Sequence, residues 1–152
     1  MNLNNRREKL IYLAAIIDGE GSIGIELLSP CKIKRKGKEE WQRKKDYYAG
    51  RLCVINTNKP LIDWIHKEFG GSINFRTKQP NQKLCYRWHI FGSGLESLLT
   101  ELEPFLFIKK QQAQILLKYR KTVNKTGHLI NDNILSIRKD LWLQCKSLNK
   151  LG

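Results

Sequence analysis

Residues 13–21 read LAAIIDGEG, and the reading of this stretch decides the fold. It closes a longer apolar run, residues 10–17 (LIYLAAII), that is hydrophobic on every side. Such a run suits either a buried helix or a buried strand. Asn5 followed three residues later by Glu8 is close to a capping box, which favours a helix beginning there. The DGEG of residues 18–21 should then stop it, since glycine commonly follows a helix end. Asp18 and Glu20 would therefore sit where a helix presents partial negative charge, at a cost of about 0.3–1 kcal/mol each. A divalent cation would account for that placement, and Mg²⁺ takes hard oxygen ligands. A plain Asp-Gly turn into a strand accounts for it equally well.

Downstream, residues 22–28 (SIGIELL) alternate, with Ile23, Ile25 and Leu27 on one face of a strand. Residues 30–46 are polar and carry Lys32, Lys34, Arg35, Lys36, Lys38, Arg43, Lys44 and Lys45, which predicts a long hairpin arm. A strand follows over 47–55. Pro60 suits the first turn of a short helix over 61–69, ended by Gly70-Gly71. Residues 72–78 alternate again, with Ile73 and Phe75 inward, and 84–91 place Leu84, Tyr86, Trp88 and Ile90 on one face. Helices are expected over 93–102, 109–123 and 133–148. The order αββαββα, then further helices, describes one α+β domain over residues 1–152 with a four-stranded antiparallel sheet.

The chain of 152 residues carries 28 Lys and Arg against 14 Asp and Glu, a net charge of +14. That excess attracts polyanions. No segment approaches the roughly 18 apolar residues of a membrane span, and the polar start resembles no signal peptide. We therefore expect no membrane partner and an intracellular site of action, in a prokaryotic cytoplasm or an organelle. Cys31, Cys53, Cys85 and Cys145 lie far apart without a CxxC pair, and His66, His89 and His128 are scattered, so neither set builds a zinc site. The polar face of the sheet carries Glu26, Arg51, Asn74, Arg76, Lys78, Arg87 and His89. Basic residues dominate it, and such side chains read base edges and grip phosphates.

Residues 13–21 resemble the LAGLIDADG motif at nearly every position, with Ala15 where that family usually has glycine. Residues 103–113 (EPFLFIKKQQA) are similar to the family's Pro-aromatic-Leu segment with its following Lys and Gln-Ala. The resemblance spans about residues 5–125 and leaves 126–152 unmatched. It implies the homing-endonuclease fold. It also implies a homodimer of single-motif chains that cuts both strands of a long, roughly palindromic DNA site by Mg²⁺-dependent hydrolysis, with Mn²⁺ expected to substitute. By the same resemblance Glu20 would bind the metal, helped by the carbonyl of Gly19. Asn56 would position water, Lys109 would offset charge at the phosphate, and Lys59 would lie at the periphery. Without the resemblance Lys109 reads as a solvated helix lysine. Lys32, Lys34 and Arg35 would join the sheet face on double-stranded DNA. Leu10, Leu13, Ala14 and Ile17 would hold the dimer, with Ala14 and Ala15 allowing close approach. Rival activities on this scaffold are an RNA maturase acting on intron RNA and a DNA-binding regulator without cleavage.

Overall fold

The side chain of Asn5 accepts a hydrogen bond from the backbone N–H of Glu8 at 2.9 Å, the N-cap anticipated from the sequence, and its own amide nitrogen donates to the Glu8 carboxylate at 2.9 Å. The computed structural model describes residues 3, 5–29, 31–35, 38–43, 46–76, 83–123 and 131–150, and for 31–35, 38–43 and 76 it describes the backbone alone. Helix α1 (Arg6–Glu20) begins at this cap and does not stop at Asp18. It runs on to Glu20, and the N–H of Gly21 closes it on the carbonyl of Ile17. Gly21 serves close approach rather than a left-handed turn. Its φ is −81°, and a Cβ there would stand 2.7 Å from Ile17 Cα.

From Gly21 the chain enters β1 (Gly21–Leu28) and then β2 (Cys31–Arg35) and β3 (Lys38–Arg43), which pair as a separate two-stranded ribbon. This ribbon is the expected hairpin arm. Next come β4 (Tyr47–Asn56), α2 (Lys59–Phe69), β5 (Ser72–Arg76), β6 (Cys85–Ile90), α3 (Gly92–Leu102), α4 (Lys110–Lys121) and α5 (Asp132–Leu148). Asn58 caps α2, and Pro60 sits in its first turn as the sequence suggested. The main sheet is antiparallel with order β1-β4-β6-β5.

The helices cover one face of this sheet. Leu13, Ile17, Ile23, Leu52, Ile62, Ile65, Trp88, Leu99 and Leu116 are fully buried between the layers. A Cβ on Gly50 would meet a Leu116 methyl at 2.6 Å, so α4 packs against bare β4 backbone there. Phe75 departs from expectation. It points to the helix side but lies on edge strand β5, and it is 71% exposed. Among the described residues no helix is long and apolar enough to cross a membrane.

The segment with no sequence match has a structural task. Helix α5 lies against the edge of β1 that has no strand neighbour. Asn149 Nδ2, just past its end, donates to the Ile23 carbonyl at 3.4 Å, and Cys145 Sγ approaches the same oxygen at 3.8 Å. A bare edge strand invites pairing with another chain, and a covering helix prevents that. Buried Arg138 ties α5 to the end of α4, donating to Thr122 Oγ1 at 2.9 Å and to the Thr122 carbonyl at 2.6 Å.

Candidate functional site

The pairing of Gly21 with Val54 brings the end of α1 beside the end of β4. Asn56 Nδ2 there donates to the Glu20 carboxylate. Asn56 Oδ1 accepts from the backbone N–H of Asn58 at 2.7 Å, which sets the amide so that its nitrogen faces Glu20. Glu20 and Gly19 are exposed. They line an open cleft of about 380 Å³ with Tyr12, Ala15, Ile16 and Leu61. Among the described residues no three His, Cys, Asp or Glu side chains gather as a metal cluster. One carboxylate and a helix-end carbonyl are hard oxygen donors that fit Mg²⁺, which commonly keeps one or two protein carboxylates and takes its other ligands from phosphate and water. They do not fit a cage that a single chain builds alone.

Asp18 has a different partner. Its carboxylate accepts from the backbone N–H groups of Phe107 at 2.8 Å, Ile108 at 3.2 Å and Lys109 at 2.9 Å. Lys109 Nζ returns a hydrogen bond to the Asp18 carbonyl at 2.6 Å. The two segments that carry the motif resemblance are thus bound directly to each other. The cost of a carboxylate at the end of α1 is offset because the same carboxylate lies at the mouth of α4, where backbone N–H groups are unpaired. No cation is needed to explain Asp18. Lys109 is partly buried, and its ammonium sits on the terminal turn of α1, one residue from Gly19. Lys59 pairs with Asp63 on its own helix at 2.5 Å, and its ammonium lies 6.0 Å from the centre of the Tyr86 ring.

On the sheet face away from the helices, register aligns Glu26, Arg51, Asn74, Arg87 and His89, together with Ser22, Cys53 and Ile55. Sequence reading passed over the last three because Cys53 and Ile55 look like core residues, yet strand alternation from Arg51 would have placed them here. Arg51 is held by Glu26 at 2.5 Å. Burial, then the charges of Arg87 and Arg51, push the His89 imidazole below its ordinary range and so favour the neutral ring, which offers one donor and one acceptor. Strand β5 puts the Arg76 backbone beside Cys85. Lys32, Lys34 and Arg35 have their backbone in β2 and their side chains outside the described residues, as is the side chain of Arg76 and all of Lys78.

The expected dimer residues need correction. Leu10, Leu13, Ala14 and Ile17 are 5%, 0%, 1% and 0% exposed, packed inside their own chain. The opposite side of α1 is open, with Ile11 46% exposed and Ala15 and Gly19 accessible. A Cβ on Gly19 would meet nothing within 4 Å, so nothing in its own chain demands a glycine there. Phe107 and Ile108 extend this open surface at 90% and 65% exposure.

No protein-family model and no curated protein sequence matches the chain. Solved structures do. The homing endonuclease I-CvuI, in complex with the I-CreI target, superimposes with a TM-score of 0.71 at 22% identity, over 92% of this chain and 81% of that one. The archaeal intron-encoded homing endonuclease I-Vdi141I, complexed with DNA, gives 0.72 at 19% identity, over 95% and 86%. The fold is that of the LAGLIDADG homing endonucleases. The meganuclease I-SmaMI gives 0.69 at 15% identity and matches 97% of this chain to 46% of its own. This chain therefore spans less than half the length of I-SmaMI.

Proposed function

We propose that this chain is a site-specific DNA endonuclease. As a homodimer it would cut both strands of a long, roughly palindromic site by Mg²⁺-dependent phosphodiester hydrolysis, with Mn²⁺ able to substitute. The observation that carries this reading is the exposed Glu20–Asn56 pair. It stands at the end of a helix whose outer face is open, beside a basic sheet face. The DNA complexes of I-CvuI and I-Vdi141I support duplex DNA as the partner. The one acid that the motif resemblance assigns to metal, Glu20, and the match to under half of I-SmaMI support two copies per active assembly.

Glu20 and the Gly19 carbonyl would hold the Mg²⁺, which when bound neutralises phosphate charge and activates water. Asn56 keeps the Glu20 carboxylate turned toward the cleft. With its Oδ1 fixed by Asn58, it presents its amide nitrogen to whatever oxygen occupies that side. Lys109 places a positive charge at the negative end of α1, where it offsets charge developing on the phosphate. Lys59, paired with Asp63, would act in an outer role, binding backbone phosphate.

The test is Glu20→Gln, which keeps size and removes charge. On a duplex recovered by binding selection, cleavage should disappear in Mg²⁺ and in Mn²⁺ while the gel shift remains. Cleavage by this variant at the wild-type rate would refute the assignment. A wild type that binds duplex tightly and never cuts would make it a regulator, and one that binds only intron RNA would make it a maturase.

A further inference from the structure

The pairing register sets three side chains at one level across the sheet. Ile55 of β4 stands directly opposite Arg87 of β6, and Arg87 directly opposite Asn74 of β5. All three lie on the face away from the helices. Ile55 is 42% exposed, Asn74 is exposed and Arg87 partly so. The two arginines described on this face differ in their occupation. Arg51 is bound by Glu26 at 2.5 Å. No hydrogen bond or ion pair joins Arg87 to another described residue, and its Nε is shut off from solvent without a partner. A packed guanidinium stem without a carboxylate fixes the direction of the terminal nitrogens and leaves them seeking an acceptor.

We infer that this row is a base-reading element in which Arg87 takes a guanine, Asn74 an adjacent adenine and Ile55 an adjacent thymine methyl. The inference rests on the DNA-binding reading above and adds base specificity to it. The chemistry follows from the major-groove edges. Arginine forms two hydrogen bonds to guanine O6 and N7, asparagine two to adenine N6 and N7, and an apolar group packs on the thymine methyl. Neighbouring strands are about 4.8 Å apart, so the row spans about 10 Å, on the order of three base pairs at 3.4 Å rise. Arg51, already neutralised by Glu26, contributes little to this choice.

The experiment is a binding selection with the full chain and no divalent metal, on a duplex library randomised over two helical turns. The wild type should enrich a guanine flanked by adenine and thymine in each half of the site. Arg87→Lys keeps the charge and most of the stem, so the fold is not at issue, but a point charge cannot make the two-pronged contact. It should lose about 5- to 150-fold of the guanine preference. Asn74→Ala and Ile55→Ser should each relax one neighbouring position. If Arg87→Lys leaves the whole preference profile unaltered, the row does not read bases. If Arg87→Ala weakens every sequence equally, Arg87 is a phosphate contact and the proposal fails. A wild type that enriches no sequence overturns both this inference and the site-specific endonuclease reading, whereas enrichment that ignores these variants overturns the inference alone.

Discussion

At the scale of single residues, Asp18 and Glu20 have identical charge, stand two positions apart and do different work. The difference is their neighbours. Asp18 faces three backbone N–H groups that have no other acceptor among the described residues, and Glu20 faces a cleft and one amide nitrogen. Asp18→Ala should therefore lower stability by about 1–3 kcal/mol, since donors at the mouth of α4 lose a charged acceptor. Urea unfolding would measure this. Asp18→Asn should recover part of the loss, because one carbonyl oxygen replaces two carboxylate oxygens. A loss no greater than that of an exposed surface substitution would mean that the latch contributes nothing. Sequence reading grouped these two acids together because nothing local distinguishes them.

At the scale of elements, α1 is clamped near its start as well as at its end. Arg6 grips Glu101 of α3 with two bonds, at 2.9 and 3.1 Å, and Lys9 holds Glu68 of α2 at 2.6 Å. The hydrogen bonds from Arg6 and Lys9 hold both carboxyls below their ordinary value of 4.5. A carboxyl whose folded value is lowered binds fewer protons than in the unfolded chain. Its stabilisation is complete above the unfolded value and is lost as pH falls through the folded one. Thermal melts should therefore show stability falling below about pH 4.5. Glu101→Gln should shallow that fall and cost about 0.2–1 kcal/mol at neutral pH, the size of an exposed pair. A pH dependence identical to wild type would remove this pair from the account. None of these partners is near in sequence, and only the packing of α1 against α2 and α3 brings them together.

At the scale of the whole molecule, the two sides of α1 predict opposite results from adjacent residues. Ala14 is 1% exposed among core side chains, so Ala14→Trp overpacks the interior and should unfold the chain. Ala15 is accessible on the open side, so Ala15→Glu should leave the monomer folded and separate the copies. Sedimentation with circular dichroism distinguishes them. Wild type should sediment as a dimer, and Ala15→Glu as a folded monomer. A wild type that stays monomeric at micromolar concentration, with full activity, would remove the dimer. The charge of +14 acts at this scale too, drawing the molecule to a polyanion without choosing a sequence.

The alternation of residues 22–28, 47–55 and 84–91, the cap at Asn5 and the turn at Gly70-Gly71 determined the sheet and its helices, because these signals are local and repeat with the period of the element. Net charge and strand alternation likewise marked a basic face, Asp18 and Glu20 stood out together as acids at a helix end, and the motif resemblance alone chose Glu20 between them. Tertiary structure alone decided which side of α1 is open, because a helix apolar all round has no preferred face. It alone gave Asp18 its partner at Phe107–Lys109, 89 to 91 residues away. It alone set α5 against the bare edge of β1 and occupied Arg51 while leaving Arg87 without a partner among the described residues. Those outcomes depend on contacts between distant segments, which no local period encodes.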